Sequence, residues 1–337
     1  MKPRLGQLPR EAAHHDPQGG FRNPWPGSAL PRFPSLIRWG IERRVRGIPP
    51  DPDPSVFARV DPAFHPPRAP ADALTVTWIG HATALIQIGG RNVLTDPMFG
   101  DRASPLRFAG PRRWVAPGVA LDALPPLDLI LLSHNHYDHL DTGSVRALCR
   151  RFPSTPWVIP LGLGGGIART GGRDIREIDW WDSVTFDALT IAATPAQHFS
   201  ARGPFDRNRS LWCGFVIAGG RHRVYFAGDT GYHPEFPRIA EQLGPFDLTL
   251  LPVGAYEPRW FMRPVHLNPE EAVQAFLDLG GRARGVMMPI HWGTFKLTDE
   301  PMDEPPARTV AAWGQAGLPA ERLWIPQHGE TRMFRET

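Results

Sequence analysis

One stretch decides the fold: Leu127-Asp128-Leu129-Ile130-Leu131-Leu132-Ser133, followed directly by His134-Asn135-His136-Tyr137-Asp138-His139. Its first half is a continuous apolar run of the kind that forms a buried central strand. Its second half places imidazoles and a carboxylate at the end of that strand, where side chains meet in a shared crevice. His134 and His136, two residues apart, can converge on one metal ion, while Asp138 and His139 can turn toward a second. The stretch therefore predicts a metal centre at a strand end.

Three more residues of the types that bind zinc stand after predicted strands. They are His198, Asp229 and His291, and the strands before them cover 189–193, 224–227 and 286–289. Taken singly, a histidine or aspartate in such a place is more typical of a turn. The same arrangement of strand and then ligand occurs four times in the chain, and this repetition favours one shared site.

The order of predicted elements indicates two sheets packed face to face with helices outside, an α/β (α+β) sandwich. Early strands pair as hairpins, with Gly89-Gly90-Arg91 as a turn signal, and later strands alternate with helices. The clearest helix begins after Asn268, which is a good N-cap, with Pro269 at the first helical position and Glu271 completing a capping box. The predicted strands are 74–79, 84–88, 92–95, 127–132, 157–159, 183–186, 189–193, 211–217, 224–227, 248–251 and 286–289.

Residues 1–70 are predicted to be an extension before a main domain at 71–337. Pro, Arg and Gly dominate the extension, so it cannot be one regular element. A short amphipathic helix fits at 35–45, because apolar residues recur at positions 36, 37, 41 and 45. We expect this helix to pack on the main domain. The alternative is that it rests on lipid headgroups, which Trp39 and the flanking arginines would also suit.

Composition narrows the classes of protein and partner. The net charge is only +3, and the arginines are scattered, which argues against a nucleic-acid partner. Cys149 and Cys213 are too few for a disulfide framework and are expected to be buried thiols. Residues 1–20 lack the apolar core of a secretory signal. A cytoplasmic location is expected, with peripheral contact at the inner face of the membrane left open. The oligomeric state is also open, with a homodimer as one alternative.

These motifs resemble the metallo-β-lactamase superfamily. Within it, residues 74–300 resemble the N-acyl-phosphatidylethanolamine-hydrolysing phospholipase D family. The metal motif is shared across the superfamily, whereas two other runs are narrower: Tyr256-Glu257-Pro258-Arg259-Trp260-Phe261-Met262 and His291-Trp292-Gly293-Thr294-Phe295. Further matching stretches are Trp78-Ile79-Gly80-His81-Ala82-Thr83, Leu94-Thr95-Asp96-Pro97-Met98-Phe99 and Phe226-Ala227-Gly228-Asp229-Thr230-Gly231-Tyr232.

The resemblance implies an αββα sandwich with two zinc ions per chain. One ion would be held by His134, His136 and His198, the other by Asp138, His139 and His291, with Asp229 bridging the pair together with a water or hydroxide. Imidazole and carboxylate ligands suit zinc, and a hydroxide formed at such a pair is a nucleophile for phosphorus. The implied reaction is phospholipase D-type hydrolysis of N-acyl-phosphatidylethanolamine, or a related phospholipid, to phosphatidic acid and N-acylethanolamine.

The resemblance also assigns residues around the metals. Asp138, Asp229 and His266 are expected to be catalytic. His266 would contact phosphate or donate a proton to the leaving group, unless it merely packs beside the helix that follows it. Asp96 would orient a ligand histidine, unless it only begins an Asp-Pro turn. His81 lies near the site by resemblance, where a structural imidazole is slightly favoured.

Five aromatic or soft apolar side chains in or beside the motifs could line a groove for acyl chains or could pack the core: Phe108, Tyr137, Trp260, Phe261 and Met262. Other functions stay open beside the phospholipase. The same metal chemistry acting on a lactone or another small ester predicts a short polar pocket. A nuclease needs a basic channel, which the scattered arginines do not form. A binding module that keeps the metals as structural staples should lack an open coordination position.

Overall fold

The computed structural model describes residues 12–28, 33–106 and 108–334, and within them the chain forms thirteen strands and seven α-helices. Residues 1–11 and 29–32 of the predicted extension lie outside the described residues. The strands are β1 Leu74–Gly80, β2 Thr83–Ile88, β3 Arg91–Thr95, β4 Leu129–Leu131, β5 Trp157–Pro160, β6 Ile175–Ile178, β7 Ser183–Phe186, β8 Leu189–Thr194, β9 Gly214–Gly219, β10 His222–Phe226, β11 Leu248–Pro252, β12 Val286–Ile290 and β13 Thr331–Phe334. The helices are α1 Phe33–Arg46, α2 Thr142–Arg151, α3 Gly164–Thr170, α4 Phe236–Leu243, α5 Arg259–Met262, α6 Pro269–Phe276 and α7 Glu304–Gln315.

The strands form two mixed sheets. The first has the order β13-β1-β2-β3-β4-β5-β6, with antiparallel pairs from β13 to β3 and parallel pairs from β3 to β6. The second has the order β12-β11-β10-β9-β8-β7, parallel from β12 to β10 and antiparallel from there to β7. As a result β8, β10 and β12 run in the same direction, and their carboxyl ends lie at one edge of this sheet.

The main core lies between the two sheets. Trp78 and Leu131 of the first sheet belong to the same buried cluster as Phe215 and Leu250 of the second. The outer face of the first sheet packs against α2 and α3 in a separate cluster. The outer face of the second sheet is covered by helices that include α6 and α7. These four layers confirm the predicted αββα sandwich.

The best local signals in the sequence are confirmed. Gly89 and Gly90 both have positive φ, which matches the tight turn predicted between β2 and β3. The side chain of Asn268 accepts from the Glu271 amide, and the Glu271 side chain accepts from the Asn268 amide. Strands β6 and β13 were not predicted. Each is four residues long and lies at an end of the sheet, and all their residues except the buried Ile178 are half-buried or exposed, so they leave little hydrophobic pattern.

Residues 12–28 pack on the second half of the chain and are not a separate unit. The Trp25 ring stacks on Trp180 and on His233, with centroids 5.6 Å and 4.9 Å apart. Phe21 belongs to the main core. The Asn23 side chain donates to the backbone carbonyl of His198 at 2.9 Å, so this segment reaches one of the predicted ligands.

Helix α1 contacts the main domain, as expected, but through its aromatic and charged side chains. Trp39 Nε1 donates to Asp299, and the Trp39 ring lies 5.0 Å from Phe261. Glu42 accepts from Trp260 Nε1 at 2.9 Å. The predicted apolar positions Leu36, Ile37, Ile41 and Val45 face outward and are 48–80% exposed. Among the described residues, no helix is both long and apolar enough to cross a membrane.

Candidate metal centre

The loop after β4 presents the four predicted ligands of the central motif. The Leu140 amide donates to the His136 carbonyl at 2.8 Å and closes a tight turn. Arg202 supports the loop from outside: Nη1 donates to the carbonyls of Asn135 and Leu140, both at 2.7 Å. The same guanidinium lies 3.9 Å from the centre of the Tyr137 ring. The loop is therefore fixed by the surrounding protein, which favours a preformed site.

The other three predicted ligands reach this loop from the second sheet. His198, Asp229 and His291 follow β8, β10 and β12, whose carboxyl ends lie at the same edge. His291 has a φ of 65°, in the left-handed region. Such backbone costs about 1–2 kcal/mol for a residue other than glycine and persists where its surroundings hold it. Loops that follow strands of both sheets therefore bring their predicted ligands to the same place.

Three imidazoles form one half of the site. His134 Nε2 lies 2.9 Å from His136 Nδ1, and His198 Nε2 lies 3.1 Å from the same His136 atom. All three side chains are buried or partly buried. One nitrogen atom from each ring lies within 4.8 Å of the other two, so a single ion could contact all three.

The second half combines two imidazoles with the Asp138 carboxylate. Asp138 Oδ2 lies 3.3 Å from His139 Nε2 and 3.2 Å from His291 Nε2. His81 Nε2 is also within hydrogen-bond distance of this oxygen, at 2.8 Å. His81 therefore lies beside the predicted second ion, bonded to one of its carboxylate ligands.

Asp229 lies between the two halves. Its Oδ2 is 3.1 Å from Nε2 of both His139 and His291. The same oxygen is 3.9 Å from His134 Nε2 and 3.8 Å from His198 Nε2. This position is the one that a carboxylate shared by two cations would occupy.

The ligand histidines are oriented by groups behind them. Asp96 Oδ2 accepts from His139 Nδ1 at 2.6 Å and from the Ser133 hydroxyl at 2.6 Å. The Ser133 hydroxyl in turn lies 2.9 Å from His134 Nδ1. The fully buried Asp96 therefore serves one imidazole in each half, directly and through a hydroxyl. Such contacts fix the tautomer that leaves Nε2 free for a metal.

Electrostatics differ between the two halves. Burial, followed by the nearby His198, lowers the pKa of His136 to about 3, and burial also holds the pKa of His134 well below its usual value. Burial acts in the same direction on His291, but Asp229 and Asp138 prevail and raise its pKa to about 9. The imidazole half is thus neutral near pH 7, whereas the carboxylate half balances its negative charges with protons that a metal ion would replace.

The residues present fit a pair of zinc ions. Every donor is an imidazole nitrogen or a carboxylate oxygen, the ligand types that zinc accepts. Asp229 Oδ1 is buried and has no hydrogen-bond partner among the described residues. A buried carboxylate oxygen without a partner is costly unless a cation or another donor satisfies it. Two sets of three ligands with Asp229 between them can accept one ion each.

His266 lies at the edge of this cluster. Its Nδ1 is 3.9 Å from Asp229 Oδ2, and its ring centre is 5.1 Å from that of His198. Burial lowers the pKa of His266 well below its ordinary value, so its imidazole is neutral at pH 7. The buried Met262 accepts at its carbonyl from the His266 amide at 2.9 Å and so helps to hold this histidine.

Tyr137 and Trp260, two of the residues predicted to line a groove, contact different parts of the protein. Tyr137 stacks beneath Arg202 and donates from its hydroxyl to the Arg202 carbonyl at 2.8 Å. Trp260 contacts α1 through Glu42 and lies 4.0 Å from the Arg38 guanidinium. The contacts of these two aromatic residues therefore do not define one groove.

Sequence reasoning missed three contributors to the site. Ser133 stands inside the decisive stretch, but nothing in the sequence indicates that its hydroxyl donates to Asp96. Arg202 and Asn23 lie in segments without periodic pattern, and they act through backbone carbonyls of other segments. Contacts of this kind depend on tertiary structure and leave no local signal.

Two clefts are lined in part by residues that neighbour the predicted ligands in the chain. One, of about 360 Å³, is lined by Pro26, Gly27, Gln197, Tyr232, Arg263, Pro264 and Glu271. The other, of about 340 Å³, lies on the Arg202 side and includes Asn135 and Thr142. The first cleft is bordered by the sequence neighbours of His198 and His266, and both the N-terminal segment and the main domain contribute to it.

The fold and the site together define a metal-dependent hydrolase. A sequence model described as the beta-lactamase superfamily domain matches residues 91–292, more than half of the chain. The chain belongs to the metallo-β-lactamase superfamily.

Relatives and solved structures agree with this assignment. An uncharacterised protein of Mycobacterium tuberculosis is 47% identical over 247 residues, which are 73% of this chain and 65% of that protein. A Caenorhabditis elegans protein named N-acyl-phosphatidylethanolamine-hydrolyzing phospholipase D 1 is 44% identical over 234 residues, 66% of this chain and 65% of the relative. The match thus spans less than two thirds of either relative. Igni18, a metallo hydrolase from Ignicoccus hospitalis, shares the fold with a TM-score of 0.60 at 23% identity, over 79% of this chain and all of that one.

Proposed function

We propose that this chain is a dinuclear zinc phosphodiesterase of the phospholipase D type. Its substrate would be N-acyl-phosphatidylethanolamine or a related phospholipid, and its products phosphatidic acid and N-acylethanolamine. The observation that carries the proposal is the position of Asp229 Oδ2 between the imidazole trio and the Asp138 half of the site. The similarity to the C. elegans protein supports the lipid substrate.

The site has the parts that hydrolysis of a phosphodiester requires. Two zinc ions bound there would supply an activated water and would withdraw charge from a phosphoryl oxygen. Water oxygen becomes bonded to phosphorus, the bond from phosphorus to the ethanolamine oxygen breaks, and that oxygen leaves as the alcohol of N-acylethanolamine after gaining a proton. Asp138 and Asp229 hold the ligand geometry that this step needs, and their charge is balanced by the buried histidines.

His266 is assigned to the substrate rather than to the metals. Its imidazole is neutral at pH 7 because burial lowers its pKa, so it can donate a hydrogen bond to a phosphoryl oxygen without carrying charge. It is not one of the seven predicted ligands, and its Nδ1 has no hydrogen-bond partner among the described residues. Of its two expected roles, contact with phosphate therefore agrees better with the structure than donation of a proton from the free protein.

Helix α1 suggests how a lipid substrate is reached. The outward residues Leu36, Ile37, Ile41 and Val45 form an apolar stripe, and Arg44 and Arg46 lie exposed at the end of the helix. Apolar side chains beside basic ones favour the headgroup region of an anionic membrane. We therefore propose peripheral membrane contact through this stripe, at the inner face of a cytoplasmic membrane.

A second candidate function is hydrolysis of a lactone or another small ester. The cleft of about 360 Å³ has polar lining residues, including Gln197, Tyr232 and Arg263. Such a cleft suits a small polar substrate as well as a headgroup. An esterase of this kind would not depend on detergent or lipid for activity.

The deciding experiment compares wild type with Asp138→Asn in metal content and in turnover of two substrates. The substrates are N-acyl-phosphatidylethanolamine and bis-p-nitrophenyl phosphate. At least two metals per chain, with both reactions lost in the variant, would support the class and the substrate. Cleavage of the soluble diester without lipid turnover would retain the phosphodiesterase and reject the lipid. Folded, freshly purified protein without metal would overturn the proposal.

A further inference from the structure

A second cluster of metal-type ligands lies where the N-terminal segment meets the main domain. His14 Nε2 is 2.6 Å from Asp179 Oδ1, and His15 Nε2 is 2.8 Å from Asp179 Oδ2. One ligand atom from each of the three residues lies within 4.8 Å of the other two. The two histidines are adjacent in the chain, and the aspartate is more than 160 residues away.

The carboxylate and one imidazole of this cluster are held in place. The Trp180 amide donates to Asp179 Oδ1 at 2.8 Å, and the Asp179 amide donates to Asp182. His14 is buried and stacks on the Trp180 ring, with centroids 4.2 Å apart and planes 19° from parallel. Orientation of ligands by the protein before binding is what a specific ion site requires.

The cluster repeats the chemistry of the main centre on a smaller scale. It uses the same ligand types, and its carboxylate–imidazole separations of 2.6 and 2.8 Å are somewhat shorter than the 3.1–3.3 Å between the carboxylates and imidazoles of the main centre. The His15 side chain is 41% exposed, so solvent can reach the cluster. Three protein ligands with a water in the fourth position give the four-coordinate geometry that zinc adopts.

We propose that His14, His15 and Asp179 form a further zinc site, separate from the catalytic pair, that joins the N-terminal segment to the main domain. Two imidazoles donating hydrogen bonds to one carboxylate would give similar separations without an ion, and the test must distinguish the two arrangements. The same segment carries Asn23, which donates to the His198 carbonyl, and Pro26 and Gly27, which line the larger cleft. An ion here would hold these contacts in position.

The test measures zinc per chain after equilibrium dialysis of the intact protein against micromolar zinc. His15→Gln is the informative variant, because glutamine can still donate a hydrogen bond to Asp179 but is a poor zinc ligand. We expect the variant to bind about one zinc fewer than wild type, whatever the total. His65→Gln is the matched control, since His65 belongs to none of the metal-type clusters among the described residues, and it should bind as much zinc as wild type.

Anomalous scattering at the zinc edge provides a second measurement that does not depend on the variant folding. A peak between His14, His15 and Asp179 in crystals of wild type supports the proposal. Equal zinc content in wild type and in folded His15→Gln, or zinc peaks at the catalytic residues with none at this cluster, would overturn it in favour of the hydrogen-bonded arrangement. Neither readout uses turnover, so failure of the proposed phospholipase activity would be seen separately.

Discussion

At the residue scale, Asp96 has influence beyond its own contacts, because it orients an imidazole in each half of the metal centre. Its carboxylate accepts from His139 Nδ1 and from Ser133, whose hydroxyl lies beside His134. Oδ1 of Asp96 also accepts from the Ser133 amide, so the carboxylate accepts hydrogen bonds on both oxygens. An asparagine side chain has the same shape but carries a donor in place of one of these acceptors, so it cannot accept all three bonds.

We therefore expect Asp96→Asn to weaken metal binding about 10–100-fold, the usual effect of losing a group that orients a ligand. The measurement is competition for zinc against a chelator of known affinity. Asp187→Asn serves as control, because the Asp187 side chain is largely exposed and pairs with Arg91, which is not a predicted ligand. Unchanged affinity in Asp96→Asn would show that the ligand histidines are held without the carboxylate.

His266 belongs to the same scale but predicts a different pattern. Replacing it with alanine should reduce kcat/KM for the phosphodiester by about 10²-fold or more while leaving zinc content unchanged, since its imidazole serves the substrate and not the ions. Steady-state kinetics with elemental analysis of the same samples checks both parts. Loss of zinc together with activity would place His266 among the ligands and contradict its assignment.

At the scale of elements, helix α1 uses one set of side chains to attach to the domain and leaves another set exposed for contact with lipid. Trp39 and Arg43 both contact Asp299, so replacing them would test attachment of the helix to the domain. The outward stripe can be changed without touching that face. We expect Ile37→Ser, Ile41→Ser and Val45→Ser combined to reduce flotation with anionic liposomes, because each change removes exposed apolar surface from the lipid contact.

The matched control for this variant is Val310→Ser, which removes a similarly exposed apolar side chain from α7. Hydrolysis of bis-p-nitrophenyl phosphate should stay at the wild-type rate in both proteins, since the soluble substrate needs no membrane. Equal flotation of the stripe variant and wild type would remove the membrane role of α1.

The elements also show which parts of the molecule the sequence could predict. The capping box at Asn268 and the turn at Gly89-Gly90 depend on nearest neighbours, and both were predicted correctly. The candidate ligands could be proposed from the sequence because each of them follows a strand with a strong apolar pattern. The pairing of β13 with β1 and the bond from Asn23 to His198 join distant segments, and no local pattern encodes them. The outward orientation of the α1 stripe depends on Asp299 and Trp260, far away in the chain.

At the scale of the whole molecule, the proposed metal ligands come from both sheets. His134, His136, Asp138 and His139 follow β4 of the first sheet, whereas His198, Asp229 and His291 follow strands of the second. Each proposed ion has ligands from both sheets. Ions bound there would therefore stabilise the sandwich as well as serve chemistry.

Removal of metal should consequently lower thermal stability. An ion present at a hundred times its Kd adds about 2.7 kcal/mol to the free energy of unfolding, which corresponds to a fall in Tm of about 5 °C or more when it is removed. Differential scanning calorimetry of protein treated with dipicolinate, before and after zinc is restored, measures this change. A Tm that does not move on complete removal would mean that the sandwich holds its ligands together unaided.

The arrangement of the first sheet also bears on how the molecule can be divided. The family match begins at residue 91, yet β1 and β2 lie before it, between β13 and β3, and their residues are entirely buried. A fragment cut to 91–292 would lack Trp78 and Ile86 and would expose the core surface against which they pack. It would also lose the contact of Asn23 with His198. The region that the family model matches is thus shorter than the region that folds, and a fragment expressed with those boundaries would expose apolar surface and aggregate.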